Sequence, residues 1–250
     1  MEKEIKEFVK EHYSKVAKKE EPGCSCCSGG DLIIEQAKSA GYSVEELKSI
    51  PNDAVFGLGC GNPTALAEIK EGEIILDLGS GGGVDVFLAA NKVGPKGKVI
   101  GVDMTPKMVQ RAIENAKEGK YENVEFKLGE IEKLPIKDNS TDLIISNCVI
   151  NLATNKLSAY KEAYRVLKTG GRILVADLVT EGNIPQELRK SFQAWSDCIA
   201  GALEKKEYLN IIEKAGFKNM EILEKHYFTE PNLDERLVGK IISIQLKAVK

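Results

Sequence analysis

The chain has 250 residues, with 35 Lys and Arg against 38 Asp and Glu, a net charge of −3 and a pI near 5.7. The two signs are interleaved, so no basic stripe marks a nucleic-acid surface, and the length allows one α/β domain with additions that needs no metal or disulfide merely to fold. The charged start, Met1-Glu-Lys-Glu-Ile-Lys6, has no secretory h-region, and no run reaches the ~18 apolar residues of a membrane span, so the expected setting is cytoplasmic, with thiols reduced.

Residues 2–19 read as an amphipathic helix, with Ile5, Phe8, Val9, Tyr13 and Val16 at helical spacing. The stretch Glu21-Pro-Gly-Cys-Ser-Cys-Cys-Ser-Gly-Gly30 is turn-rich and reads as a loop. Asp31 is placed to cap a short helix to Ala40. Ser43 opens another as a capping box with Glu46, and Pro51 stops it. A second glycine-rich loop follows over 51–62.

From Glu73 strands and helices alternate. Strands are expected at 74–78, 99–103, 124–128, 142–147 and 172–177, with helices at 84–93, 106–119 and 156–168. Alternation of this kind predicts a mostly parallel sheet with helices on both faces. A long helix over 185–203 and another over 204–215 follow, and the runs 219–223 and 241–249 are placed to close the sheet as an antiparallel pair. The organisation expected is an N-terminal helical and cysteine-loop extension over 1–70, a nucleotide-binding core over 71–180, and substrate-side helices with sheet-closing strands over 181–250.

The loop Gly79-Ser-Gly81-Gly-Gly83 follows an apolar strand and opens a helix. Glycines suit it because the backbone must turn tightly and approach a ligand without a Cβ in the way. The dinucleotide pattern would need glycine where Val84 stands. The pattern here, Asp77-x-Gly79-x-Gly81-x-Gly83, is similar to motif I of class I S-adenosylmethionine-dependent methyltransferases, and Asp77 suits a ligand with an ammonium group. Asp103 ends the next strand, where such folds place the acid for the ribose hydroxyls. Gly129-Glu130-Ile131 follows the third strand; the methyltransferase pattern puts an acid there against the adenine amino group and the next amide against the ring. Gly57-x-Gly59-x-Gly61 has no preceding strand, and a proline follows it.

The six cysteines divide into Cys24-Ser-Cys26-Cys27 and three isolated residues, Cys60, Cys148 and Cys198. Zinc generally wants four closed ligands, and Cys24–Cys27 lacks a second pair; the two histidines, His12 and His226, lie on peripheral-looking elements. Cys148 directly follows the fourth strand, at the sheet edge where open α/β folds bind ligands. Cys198 shares a predicted helix face with Ala194, Trp195 and Ala202.

The segments Gly59-Cys-Gly-Asn-Pro63, Ile75-Leu-Asp-Leu-Gly-Ser-Gly-Gly-Gly83, Ser146-Asn-Cys-Val-Ile-Asn-Leu152 and Ser196-Asp-Cys198 closely resemble the arsenite methyltransferases, over about residues 4–225. The resemblance implies a Rossmann-like, seven-stranded, mostly parallel sheet. It implies methyl transfer from S-adenosylmethionine to trivalent arsenic held by Cys60, Cys148 and Cys198, in arsenic detoxification. One of Cys24, Cys26 and Cys27 would join a redox relay, re-reduced by an external thiol of the glutathione or thioredoxin kind. The cofactor set expected is Asp77, Gly79, Gly81, Asp103, Met104, Glu130, Ile131 and Asn147. Soft trivalent arsenic prefers thiolates, and three sulfurs leave its lone pair free to take a methyl without a general base. The substrate would be a small arsenical, as a thiol adduct, and the protein a monomer without nucleic-acid or membrane partners. The competing readings are a methyltransferase of another small metabolite with structural cysteines, and a thiol-based sensor, for which the glycine loop and its acids have no use.

Overall fold

The computed structural model describes residues 2–18, 30–182, 184–189, 191, 194–195, 198–227 and 235–250. Its helices are α1 (Glu2–Ala17), α2 (Gly30–Ser39), α3 (Val44–Lys48), α4 (Pro63–Leu66), α5 (Val84–Val93), α6 (Pro106–Glu118), α7 (Lys156–Val166), α8 (Gln186–Arg189) and α9 (Lys205–Lys214). Its strands are β1 (Ile74–Leu78), β2 (Lys98–Asp103), β3 (Val124–Leu128), β4 (Thr141–Asn147), β5 (Leu167–Thr180), β6 (Lys218–Tyr227) and β7 (Ile241–Val249).

One seven-stranded sheet runs β3-β2-β1-β4-β5-β7-β6. The first five strands in that order are parallel, and β7 enters antiparallel between β5 and β6. The order reverses between β1 and β4, so a crevice opens at the carboxyl ends of those two strands, where this kind of sheet receives ligands. The central strands are apolar on both faces: Ile75, Leu76, Leu78, Leu143, Ile144, Ile145 and Ile173 are fully buried. Each such aliphatic side chain stabilises the fold by about 1.5–3 kcal/mol, which makes the strand ends beneath the crevice a rigid floor.

The Ser43–Glu46 capping box forms as expected, with the Ser43 Oγ accepting from the Glu46 N–H at 3.1 Å and the Glu46 carboxylate from the Ser43 N–H at 2.9 Å. Helix α1 buries Ile5, Val9 and Val16 and packs against α6. The expected helix over 185–203 is not continuous. Helix α8 ends at Arg189, and the chain turns at Cys198, whose φ of +61° no α-helix accommodates. Apolar spacing suggested one helix, but the Cys198–Gly201 turn must pack closely on a neighbouring loop: a Cβ at Gly201 would collide with the Asn151 carbonyl. Cys24, Cys26 and Cys27 lie outside the described residues.

Candidate active site

A cavity of about 240 Å³ opens over the β1–β4 switch point. One wall comes from the β1–α5 turn and the end of β2: Asp77, Gly79, Gly81, Asp103 and Met104 all line it. A Cβ on Gly79 would collide with the Val149 side chain, so the glycine there lets the loop after β4 close onto the turn. Gly81, at φ +50°, donates its N–H to Asp103 Oδ2 at 2.9 Å, and Thr105 N–H donates to Asp103 Oδ1 at 2.8 Å. Asp103 thus braces the glycine turn from the neighbouring strand. Burial raises its carboxyl above the usual range, and the two N–H donors oppose that.

Asp77 is 2 % exposed, and among the described residues no hydrogen bond engages its carboxylate. Burial pushes its pKa well above the carboxylate range, and the charges of Asp85 and Asp103 push it further. A buried acid facing a cavity in this state fits a ligand cation. Met104, Met108 and Ile131 add an apolar lining suited to a flat base. The residues present therefore fit S-adenosylmethionine: an ammonium beside Asp77, a ribose beside Asp103.

Glu130 is not among the residues that line the cavity; its carboxylate pairs with Lys6 and Lys10 of α1, at 2.8 and 3.1 Å, and the Lys6 hydrogen bond is the main cause holding its pKa below the usual value. Ile131 and Glu132 do line the cavity, as does Lys6, which also pairs with Glu132 at 2.8 Å. The reason is register: Gly129 N–H bonds to Asp103 O and Glu130 bridges to Lys133, so the chain turns back immediately after β3.

Asp85 and Tyr42 went unread in the sequence. Asp85, in the first turn of α5, is buried, and its Oδ1 accepts from the Tyr42 hydroxyl at 2.8 Å. Burial pushes Asp85 up to about 6 against the opposing hydrogen bonds of Tyr42 and Asn147. Asn147 is the hub: Nδ2 donates to Tyr42 Oη (2.9 Å), Gly61 O (2.7 Å) and Asp85 Oδ2 (3.4 Å), while Oδ1 accepts from Cys60 N–H at 3.0 Å. The cofactor-side acid and the Cys60 loop are joined through one amide.

Cys60, Cys148 and Cys198 line the same cavity. Cys60 and Cys148 are disulfide-bonded across 88 residues, with Cα atoms 6.0 Å apart. Cys198 is buried, and its Sγ donates to the Cys148 carbonyl at 2.8 Å. Ser243 of β7 donates to the Cys60 carbonyl at 2.6 Å, fastening that loop to the sheet. The three expected cysteines therefore line the same cavity as Asp77, Gly79, Gly81, Asp103, Met104, Ile131 and Asn147. In this oxidised form two of the three sulfurs are bonded to each other, so they do not yet make a three-thiolate ligand set.

Residues 69–216 match the family model of a methyltransferase domain. An arsenite methyltransferase of Halobacterium salinarum is 41% identical over 91% of this chain and 61% of its own length. Its human counterpart is 35% identical over 94% of this chain and 64% of its own. The crystal structure of an arsenic(III) S-adenosylmethionine methyltransferase from Chlamydomonas reinhardtii superposes with a TM-score of 0.70 at 36% identity, covering 86% of this chain and 73% of that one. The chain belongs to the arsenite methyltransferase family. It spans about three fifths of the length of the curated relatives it matches. Family membership accounts for the sheet order and the glycine turn, which methyltransferases share, and sets them beside a cysteine wall that the general fold does not require. No helix among the described residues is long and apolar enough to cross a membrane.

Proposed function

We propose that the protein transfers methyl groups from S-adenosylmethionine to trivalent arsenic bound by thiolates of Cys60, Cys148 and Cys198, in arsenic detoxification in the cytoplasm, and that it works as a monomer. The observation that carries this reading is that those three cysteines line one cavity together with Asp77 and Asp103. Residues 1–70 act as a cover, since Tyr13, Tyr42 and Phe56 line the same cavity; residues 71–180 hold the donor, and residues 181–250 supply Cys198 and Ser243.

Asp77 would hold the donor's ammonium, Asp103 its ribose, and Met104 and Ile131 would line the place for its base. S-adenosylmethionine, when bound, supplies an electrophilic methyl: the arsenic lone pair forms the As–C bond as the S–C bond breaks, and S-adenosylhomocysteine leaves. The cysteine wall fixes the arsenic so that its lone pair faces the donor, and alignment supplies most of the acceleration. Proton transfer plays no part, which agrees with a cavity lined by no histidine among the described residues.

Methylation takes arsenic to the pentavalent state. Two cysteine thiolates return the electron pair, arsenic becomes trivalent again, and the sulfurs join as a disulfide. The Cys60–Cys148 bond is the oxidised end of that step. A glutathione-like or thioredoxin-like thiol then restores both cysteines, directly or through Cys24, Cys26 or Cys27. The deciding experiment is incubation of the reduced protein with labelled S-adenosylmethionine and arsenite. Methylated trivalent arsenic is the expected product. Donor binding without arsenic binding or methylation would instead indicate a methyltransferase of another small metabolite.

A further inference from the structure

Lys156 is the first residue of α7 and is only 7 % exposed. No described carboxylate lies within salt-bridge distance of it. Its Nζ donates to the Asn151 carbonyl at 3.1 Å and the Ala153 carbonyl at 3.0 Å, and it lies 5.6 Å from the centre of the Trp195 ring. An ammonium buried with only these partners is costly. Burial draws it down to about 8, with Asp177, Cys198 and Glu132 opposing that.

Its partners have one thing in common. Asn151 and Ala153 end the loop that begins at Cys148, whose own N–H is pinned to Ala176 O at 2.8 Å. Trp195 begins the turn that carries Cys198, accepting the Cys198 N–H at 3.0 Å. The two segments touch again where Gly201 meets the Asn151 carbonyl and where Cys198 Sγ meets the Cys148 carbonyl. Lys156 sits behind both cysteines and grips both of their segments.

We propose that Lys156 is a positioning residue for the arsenic substrate: its ammonium fastens the Cys148 loop to the Trp195–Cys198 turn and so sets the spacing of the two thiolates that hold a trivalent, thiol-seeking centre. This rests on the function proposed above. A cation over an aromatic face attracts it, and hydrogen bonds from an ammonium to two successive-turn carbonyls are charge-assisted, so one side chain closes the joint from both sides.

The test compares Lys156→Met, which keeps the stem and removes the charge, with Lys156→Arg, which keeps the charge and the donors. Lys156→Met should raise the KM for arsenite roughly tenfold or more, the size usual for lost support behind a ligand, while the KM for S-adenosylmethionine stays within about twofold. Lys156→Arg should recover most of the arsenite KM. In the reduced protein without arsenic, iodoacetamide should label Cys198 faster in Lys156→Met than in wild type, read by mass spectrometry. Unchanged arsenite KM and unchanged labelling would overturn the assignment, as would parallel loss for both substrates. Should Lys156→Met fail to fold, Lys156→Gln carries the same comparison. A wild-type protein that methylates no arsenical sinks the proposed function, and the labelling rates, which involve no arsenic, still decide the clamp.

Discussion

Cys198 donates its Sγ hydrogen to the carbonyl of Cys148 at 2.8 Å, and both residues hold left-handed backbone, at φ +61° and +57°. Non-glycine residues in that region each cost of order 1–3 kcal/mol and persist only where the surroundings enforce them. Here two such positions are adjacent in space and both carry the sulfurs of the candidate site. Both residues line the cavity that Asp77 and Asp103 also line.

Cys148→Ser and Cys198→Ser should each abolish methylation of every arsenical. Serine keeps the size and the local backbone but replaces a soft thiolate by a hard hydroxyl. Calorimetry should still find S-adenosylmethionine bound by both. Near-normal turnover of arsenite by either variant would make that cysteine a packing residue.

Cys60→Ser separates the two methylation steps. Arsenite has three exchangeable positions and monomethyl trivalent arsenic two, one being already carbon. With excess small thiol present, the variant should lose arsenite methylation and retain substantial activity on the monomethyl substrate. Equal loss on both would place Cys60 among the indispensable ligands.

Asp103→Ala should weaken S-adenosylmethionine binding at least about tenfold, since hydrogen bonds to a charged group contribute roughly 1.5–3 kcal/mol. The variant also frees the N–H groups of Gly81 and Thr105, so the glycine turn should show faster amide exchange as well. Unaltered affinity in a titration would remove Asp103 from the donor site.

Asp177, fully buried within β5, accepts from the Tyr208 hydroxyl at 2.9 Å and from the Leu178 N–H at 3.0 Å. Burial pushes its carboxyl up from 3.8 to about 7. The folded protein therefore keeps a proton that the unfolded chain has released between those values, so stability falls as pH rises through about 4 to 7 and this contribution is level above that. Asp177→Asn should remove a fall on the order of a few kcal/mol, seen as urea midpoints at pH 5 and pH 8 that differ less than in wild type. The same pH dependence in both proteins would show that the acid is not the source.

Much of this arrangement is written in local patterns. The strand–helix alternation, the glycine turn and the two acids in the last residues of β1 and β2 are short-range features, and the structure places each of them where its pattern indicates. What the pattern could not convey depends on distant partners. Glu130 and Glu132 are equivalent in sequence, and their partners come from α1, more than a hundred residues earlier: Lys6 pairs with both, Lys10 adds a second cation to Glu130, and Glu132 lines the cavity. Asp85 looks like a favourable acid at a helix start; its burial follows from Tyr42 and Asn147, which come from opposite sides of the glycine turn. The Ala194, Trp195, Cys198 and Ala202 spacing suits a helix, and the turn at Cys198 is dictated instead by close packing of Gly201 on the Asn151 backbone.

The Cys60–Cys148 bond also sets a sequence of events. On the function proposed above, a protein carrying this bond would begin two electrons short of readiness, with two of its three arsenic-binding sulfurs tied to each other. More arsenic would not open the site; a reductant would. Mixed with both substrates at once, such a preparation would show a lag whose length tracks the supply of thiol, and the cell's reducing power, rather than the dose of the toxin, would govern how soon the first molecule is processed.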